Sequence, residues 1–315
     1  MKKVLVTGAA GIIGINVVKY LLSEGKYEIT LLDLKNKRSF KRLKRYSKRV
    51  NIVYGDVNNE VLVDALVKDH DVVIHLAGAL PPLANLKKDL CRIVDYEGTK
   101  NFVNAIRMYN RKCLFIYVSS TTVYGKIKDN DNITVSSKVN IHEGDWYSKY
   151  KYDAERLIKG EIRNYVIYRV PSVVANISDD SPIYNVPLKS KIELVSAKDV
   201  AYALVNTIDN YTKLDNKIYN LSGGKNYQTE YKKHLTYLLK SYGISMRLII
   251  SRLLIDKNFY CGWYADSDKI NDVLNYQTEG LDVYYRRLAR KYRGNKRIIQ
   301  RLLAKPIIYI MNRKG

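Results

Sequence analysis

Gly8, Gly11 and Gly14 fall in the run Thr7-Gly8-Ala9-Ala10-Gly11-Ile12-Ile13-Gly14, after the apolar residues Val4-Leu5-Val6 and before a helical pattern reaching Leu22. Strand, glycine-rich turn and helix in that order make a site for a dinucleotide pyrophosphate. Gly8 permits the tight turn, Gly11 lets the backbone approach the phosphates, and Gly14 lets the helix pack close to the strand. The backbone of Ala10, Ile12 and Ile13 then faces the anion at the positive end of the helix. A second strand, Tyr27 to Leu32, ends in Asp33. An acid there binds the adenosine ribose hydroxyls and repels a 2′-phosphate, which favours NAD over NADP.

Further residues with chemical potential follow in order along the chain. Asp56, in Gly55-Asp56-Val57, stands where it could bond an adenine amino group. His75-Leu76-Ala77-Gly78 offers small residues that let backbone approach a cofactor. Val118-Ser119-Ser120-Thr121-Thr122-Val123-Tyr124-Gly125 comes next, then Tyr147 and Lys151, then Arg169-Val170-Pro171. Lys151 stands four positions after Tyr147, and Glu155 lies one turn further, so a helix stacks all three on one face. Tyr150, Tyr152 and Lys149 crowd the same stretch, but only Tyr147–Lys151 pairs tyrosine with lysine at this spacing and has Glu155 at the next turn.

The elements that must position these residues alternate. Strand-like runs cover Lys3–Val6, Glu28–Leu32, Ile52–Tyr54, Val72–Leu76, Leu114–Val118 and Val166–Tyr168, with helical patterns at Leu62–Val67, Leu90–Met108 and Tyr147–Lys159 between them. Alternation of this kind predicts an α/β fold, a doubly wound parallel (Rossmann) sheet whose functional loops gather at one edge. Beyond Pro171 the pattern turns irregular. Strands are expected near Glu193–Val195 and Ile218–Leu221, and helices near Asp199–Ile208, Thr229–Tyr242, Ser267–Leu274 and Gly280–Tyr292. The expected organisation is an NAD-binding domain over 1–170, to which 192–222 returns, a smaller C-terminal α/β substrate lobe over 171–292, and a tail over 293–315.

Composition bounds the function. A chain of 315 residues with 46% hydrophobic and 27% charged residues suits a globular protein. Four histidines and three cysteines (Cys91, Cys113, Cys261) without paired spacing predict no metal site, and a reducing, cytoplasmic setting. The chain starts almost directly on its first strand, so no signal peptide is expected. A net charge of +23 is concentrated in 34–50, where nine residues are Lys or Arg and none is acidic, and again after Arg286. Without a basic recognition motif, this reads as solvated surface rather than a nucleic-acid interface. The tail from Asn295 mixes apolar pairs with basic residues and could touch an anionic membrane surface.

This ordered set of motifs resembles the extended short-chain dehydrogenase/reductases, and within them the NAD-dependent sugar-nucleotide epimerases and dehydratases, over roughly 1–292. The resemblance implies that Tyr147 exchanges a proton with a substrate hydroxyl while hydride moves to or from the nicotinamide. Lys151 favours the phenolate and binds the nicotinamide ribose, and Ser120 bonds the same substrate oxygen. It implies NAD cradled by Gly8, Ala10, Gly11, Ile12, Ile13, Gly14, Asp33, Asp56, Val57, Leu76, Ala77, Gly78, Val118, Tyr147, Lys151 and Pro171. Homodimerisation through a helix pair is also implied.

Departures from the family pattern narrow the reaction. Asp95 stands where asparagine is usual before Gly98-Thr99, Tyr150 replaces a small serine, and Val174-Ala175 replaces Tyr-Gly. Thr121 and Thr122 occupy the positions where dehydratases carry Asp-Glu, which disfavours elimination. Between Pro171 and Ala197, Lys189 and Lys191 are the obvious cations for a substrate diphosphate. The expectation is hydride transfer at a hydroxyl-bearing carbon of a nucleotide-sugar, as an epimerase. The alternatives are an NAD(P)-dependent reductase or dehydrogenase of a smaller carbonyl substrate, or a non-catalytic NAD-binding regulator.

Overall fold

The computed structural model describes residues 1–81, 83–126, 132–174, 187–241 and 262–291. Its strands are β1 (Lys2–Thr7), β2 (Tyr27–Asp33), β3 (Asn51–Tyr54), β4 (Val72–His75), β5 (Leu114–Ser120), β6 (Tyr165–Val170), β7 (Val173–Val174), β8 (Lys191–Glu193), β9 (Val195–Ser196), β10 (Lys217–Asn220) and β11 (Gln228–Glu230). Seven of them form one sheet in the order β10-β6-β5-β4-β1-β2-β3, with every neighbouring pair parallel. From β1 the chain winds outward through β2 and β3, then returns to β4 on the other side. That reversal opens a crevice beyond the carboxyl ends of β1 and β4, where ligands of such sheets bind.

The helices are α1 (Ile12–Glu24), α2 (Lys37–Leu43), α3 (Glu60–Lys68), α4 (Leu83–Leu86), α5 (Lys88–Cys91), α6 (Gly98–Tyr109), α7 (Trp146–Glu161), α8 (Ala197–Leu214), α9 (Tyr231–Ser241), α10 (Ser267–Leu274) and α11 (Leu281–Lys291). Both faces of the sheet are covered, so central strands read as unbroken apolar runs. Val4, Val6, Leu31, Ile74 and Ile116 pack with Val17, Leu21, Leu204 and Ile208 from α1 and α8. Leu5, Leu32, Val73 and Phe115 pack on the opposite face with Val63, Phe102, Ile106 and Ile158 from α3, α6 and α7. The doubly wound fold expected from alternation is the fold observed.

One stretch differs from its sequence expectation. The single helix expected over Leu90–Met108 is interrupted: α5 and α6 are joined by a π-helical turn, Arg92–Glu97. The wider turn leaves Asp95 fully buried. The basic run at 34–50 contains α2, which has a capping box. Asn36 Oδ1 accepts from the backbone N–H of Arg38 and Ser39 (2.9 Å each), and Ser39 Oγ accepts from Asn36 N–H at 3.1 Å.

After β6 the chain builds a second cluster. β8 and β11 pair antiparallel, and Ile192, Leu194, Tyr227, Leu235, Leu238 and Leu288 pack between them and α9 and α11. β7 pairs with β9, while β10 rejoins the main sheet beside β6. Ala175, Tyr242, Cys261, Tyr292 and the tail at 293–315 lie outside the described residues. Among the described residues, no helix is long and apolar enough to cross a membrane.

Candidate active site

The glycine turn leaves β1 at the crevice. Gly8 has φ +62°, and a Cβ there would lie 2.8 Å from Ala77 N. Only glycine permits that approach between the loops after β1 and β4. At Gly14 a Cβ would meet the carbonyl oxygens of Gly8 and Ala9 at 2.6 Å, so α1 sits directly on the turn. No side chain caps α1 at Gly11, and no acid lies in its first turn. The N–H groups around Ile12 and Ile13 therefore suit an anion. The Ala10 N–H donates to Asp33 Oδ2 at 2.8 Å, which ties the turn to the end of β2.

Asp33 ends β2 beside this turn. Burial raises its pKa, opposed by the N–H groups of Ala10 and Leu34 and by Arg38 and Arg42. Arg42 Nη1 also donates to Ala10 O at 2.8 Å, so one member of the basic run belongs to the turn. Asp56 is exposed at the end of β3 and accepts from Asn58 N–H (3.0 Å) and Nδ2 (2.9 Å), while Val57 is buried against Gly98. This cradle of glycines, uncapped helix and ribose-side acid fits a dinucleotide.

Sequence reasoning missed the role of His75. Thr7 Oγ1 lies 2.9 Å from its Nδ1 and Thr99 Oγ1 3.2 Å from its Nε2, tying β1 to α6 through β4. Thr7 Oγ1 also accepts from the N–H groups of Leu76 and Ala77 at 3.1 Å each, fixing the loop of small residues. Burial, reinforced by Lys151, pushes the imidazole pKa down to about 3, so this histidine is a neutral bracket. Threonine next to the glycine run was the signal available for it.

α7 brings the reactive side chains to this loop. Asp145 caps it, accepting from Ser148 N–H at 3.2 Å and Ser148 Oγ at 2.6 Å. Tyr147, Lys151 and Glu155 are all buried on the face toward the sheet. Lys151 Nζ donates to Val118 O at 3.2 Å, lies 3.1 Å from Asp95 Oδ1, and sits 5.9 Å from the centre of the Tyr147 ring. Burial opposes its charge, but Tyr117, Asp95 and Tyr147 outweigh that and hold its pKa above the usual value.

Ser120, at the end of β5, is among the groups that act on the Tyr147 phenol. The phenol pKa is raised, chiefly by burial and further by Asp95, while Lys151 and Ser120 pull it down. Ser120 in turn accepts from Thr122 N–H (3.2 Å) and Thr122 Oγ1 (3.0 Å). Thr121 and Thr122 open the 3₁₀ turn that follows Ser120.

Glu155, the third residue of the face, does structural work. It accepts from Ser119 Oγ at 2.6 Å and forms a two-pronged ion pair with buried Arg169, Nη2–Oε2 2.6 Å and Nε–Oε1 3.0 Å. Pro171 follows as a buried residue at the end of β6. Tyr150 fills the space of the usual small residue by packing between Trp146 and Tyr96. Lys149 pairs instead with Asp153 at 2.5 Å, away from the phenol. Lys191 lies over the Trp263 ring at 4.9 Å, and Lys189 is exposed.

The carboxyl ends of β1, β4 and β5 therefore bring together the glycine turn, Leu76-Ala77-Gly78, Val118, Ser120, Tyr147 and Lys151. Comparison with known proteins agrees in kind. The chain is 32% identical over 134 residues to CDP-paratose 2-epimerase of Salmonella typhi, covering 40% of this chain and 39% of that one. It is 30% identical over 179 residues to dTDP-glucose 4,6-dehydratase of Mycolicibacterium smegmatis, covering 55% and 53%. The aligned part thus spans between two-fifths and about half of these relatives. The structure of UDP-glucuronic acid 4-epimerase from Bacillus cereus in complex with NAD superposes with a TM-score of 0.71 at 20% identity, covering 92% of this chain and 100% of that one. Residues 5–165 match the 3-beta hydroxysteroid dehydrogenase/isomerase family, and the chain belongs to that family, within the extended short-chain dehydrogenase/reductases.

Proposed function

We propose that this protein is an NAD-dependent enzyme that moves hydride at a hydroxyl-bearing carbon of a nucleotide-sugar, with epimerisation as the net reaction. One observation carries the proposal: a buried phenol flanked by Lys151 and Ser120 opens onto the crevice beside a dinucleotide cradle, with Thr121 and Thr122 where an acid pair would drive elimination. Relatives and neighbours that act on sugar nucleotides support the substrate class.

Bound NAD would accept the hydride and later return it. Tyr147 takes the proton of the substrate hydroxyl as the carbon is oxidised, and gives it back when the carbonyl is reduced from the opposite face. Lys151 stabilises the phenolate in between, in a setting where burial strengthens its field. Ser120 holds the reacting oxygen in line. Dehydration would need a proton delivered to a departing hydroxyl and another removed from carbon, and two threonine hydroxyls supply neither at neutral pH.

Tyr147→Phe removes the hydroxyl that exchanges the proton and keeps the ring. Turnover is expected to fall about 10²- to 10⁴-fold, while the NAD content of the purified protein, read by mass spectrometry after denaturation, stays at the wild-type level. Unchanged turnover would overturn the assignment.

A further inference from the structure

Asp95 is the clearest departure of this site from its family pattern, and its surroundings account for the carboxylate. It is fully buried on the π-helical turn between α5 and α6. Its Oδ2 accepts from Ala79 N–H at 3.0 Å and from Cys91 Sγ at 3.4 Å, and its Oδ1 faces the Lys151 ammonium at 3.1 Å. All three neighbours are donors. A carboxylate can accept from each, whereas an asparagine must turn its NH₂ toward either a backbone N–H or an ammonium. Gly78 packs directly against the pair: a Cβ there would lie 2.7 Å from Asp95 Oδ1 and 3.2 Å from Lys151 Nζ.

We propose that Asp95 is a positioning residue, whose carboxylate anchors Lys151 beneath Tyr147 and, as a second charge in the same buried space, moves the working range of the enzyme to higher pH than asparagine would give. The inference rests on Tyr147 being the proton-transfer group. The phenol is faced by Lys151 on its own helix, by Cys91 at the end of α5, by Asp95 from the turn that follows, and by Ser120 from β5. Lys151 is faced in addition by Tyr117 on β5 and by His75 on β4, and Glu155 acts on Tyr117. Among these groups the cysteine thiol is pushed far up by burial and the histidine is neutral. Asp95 is thus the anion that offsets Lys151 next to the phenol. A nearby like charge disfavours phenolate, and its removal makes phenolate easier to form.

The test is a phenolate absorbance titration of the protein without added substrate, taken as the difference from Tyr147→Phe so that one tyrosine is read. Repeating it in the Asp95→Asn background should move the Tyr147 midpoint down by about one pH unit or more. The acid limb of the pH–rate profile should move with it, while the maximum rate falls because Lys151 has lost its anchor. Asp95→Ser serves the same comparison if the asparagine variant does not fold, and Asp95→Glu, which restores the charge, should return the midpoint toward wild type. A midpoint unmoved or raised in the neutral variant overturns the role of Asp95 and leaves Tyr147 in place. Turnover that survives Tyr147→Phe overturns the underlying reading instead.

Discussion

At the scale of single residues, the proposed function gives cofactor choice to Asp33. It lies between the glycine turn, which it grips through Ala10 N–H at 2.8 Å, and the guanidinium groups of Arg38 and Arg42. Its negative charge repels a 2′-phosphate, while the two arginines would attract one. Asp33→Asn keeps the shape and removes the repulsion, so NADP should gain on NAD by at least about tenfold in relative Kd, because like-charge contacts cost several kcal/mol. Fluorescence titration with both dinucleotides measures the ratio, and an unchanged preference would show that Asp33 does not read the ribose. Residues with local signatures were legible in the sequence: Gly8, Asp33 and the Tyr147–Lys151 spacing each follow from a run of a few positions. The Asp95–Lys151 pair was not, since its partners lie far apart in the chain and meet only through tertiary packing. Arg42 was hidden for another reason: in a run of nine basic residues nothing local marks the one that reaches the turn.

At the scale of elements, the site depends on how closely α1 approaches β1 and the loop after β4. Gly14 is the tightest point, because a Cβ would meet backbone oxygens at 2.6 Å and backbone cannot swing aside as a side chain can. Gly14→Ala should lift α1 from the turn, weaken NAD binding and destabilise the fold by about 1–3 kcal/mol, the usual range for overpacking. Urea denaturation and NAD titration check the two effects, and a variant with wild-type values for both would remove the close contact from the account. Strands and most helices were legible here because apolar period and length are written into each segment. The π-helical turn was not. Leu90–Met108 carries one continuous helical pattern, and the widening at Arg92–Glu97 accompanies the burial of Asp95 against Lys151 on another element.

The whole molecule is a doubly wound sheet whose crevice meets a smaller cluster built on β8, β11, α9 and α11. Its alternation made the first half readable, whereas the second half mixes short strands with helices, and its pairings join residues distant in sequence, such as Ile192 with Thr229. In the proposed net reaction, hydride leaves one carbon and returns to it. The most direct measurement is to incubate the purified protein with UDP-, dTDP- and CDP-hexoses, without added NADH, and resolve the products by chromatography and mass. The expected product is an isomer of unchanged mass, formed over many turnovers with the bound NAD unconsumed. A product lighter by one water, or turnover that stops unless a reduced nicotinamide is supplied in proportion, would contradict it.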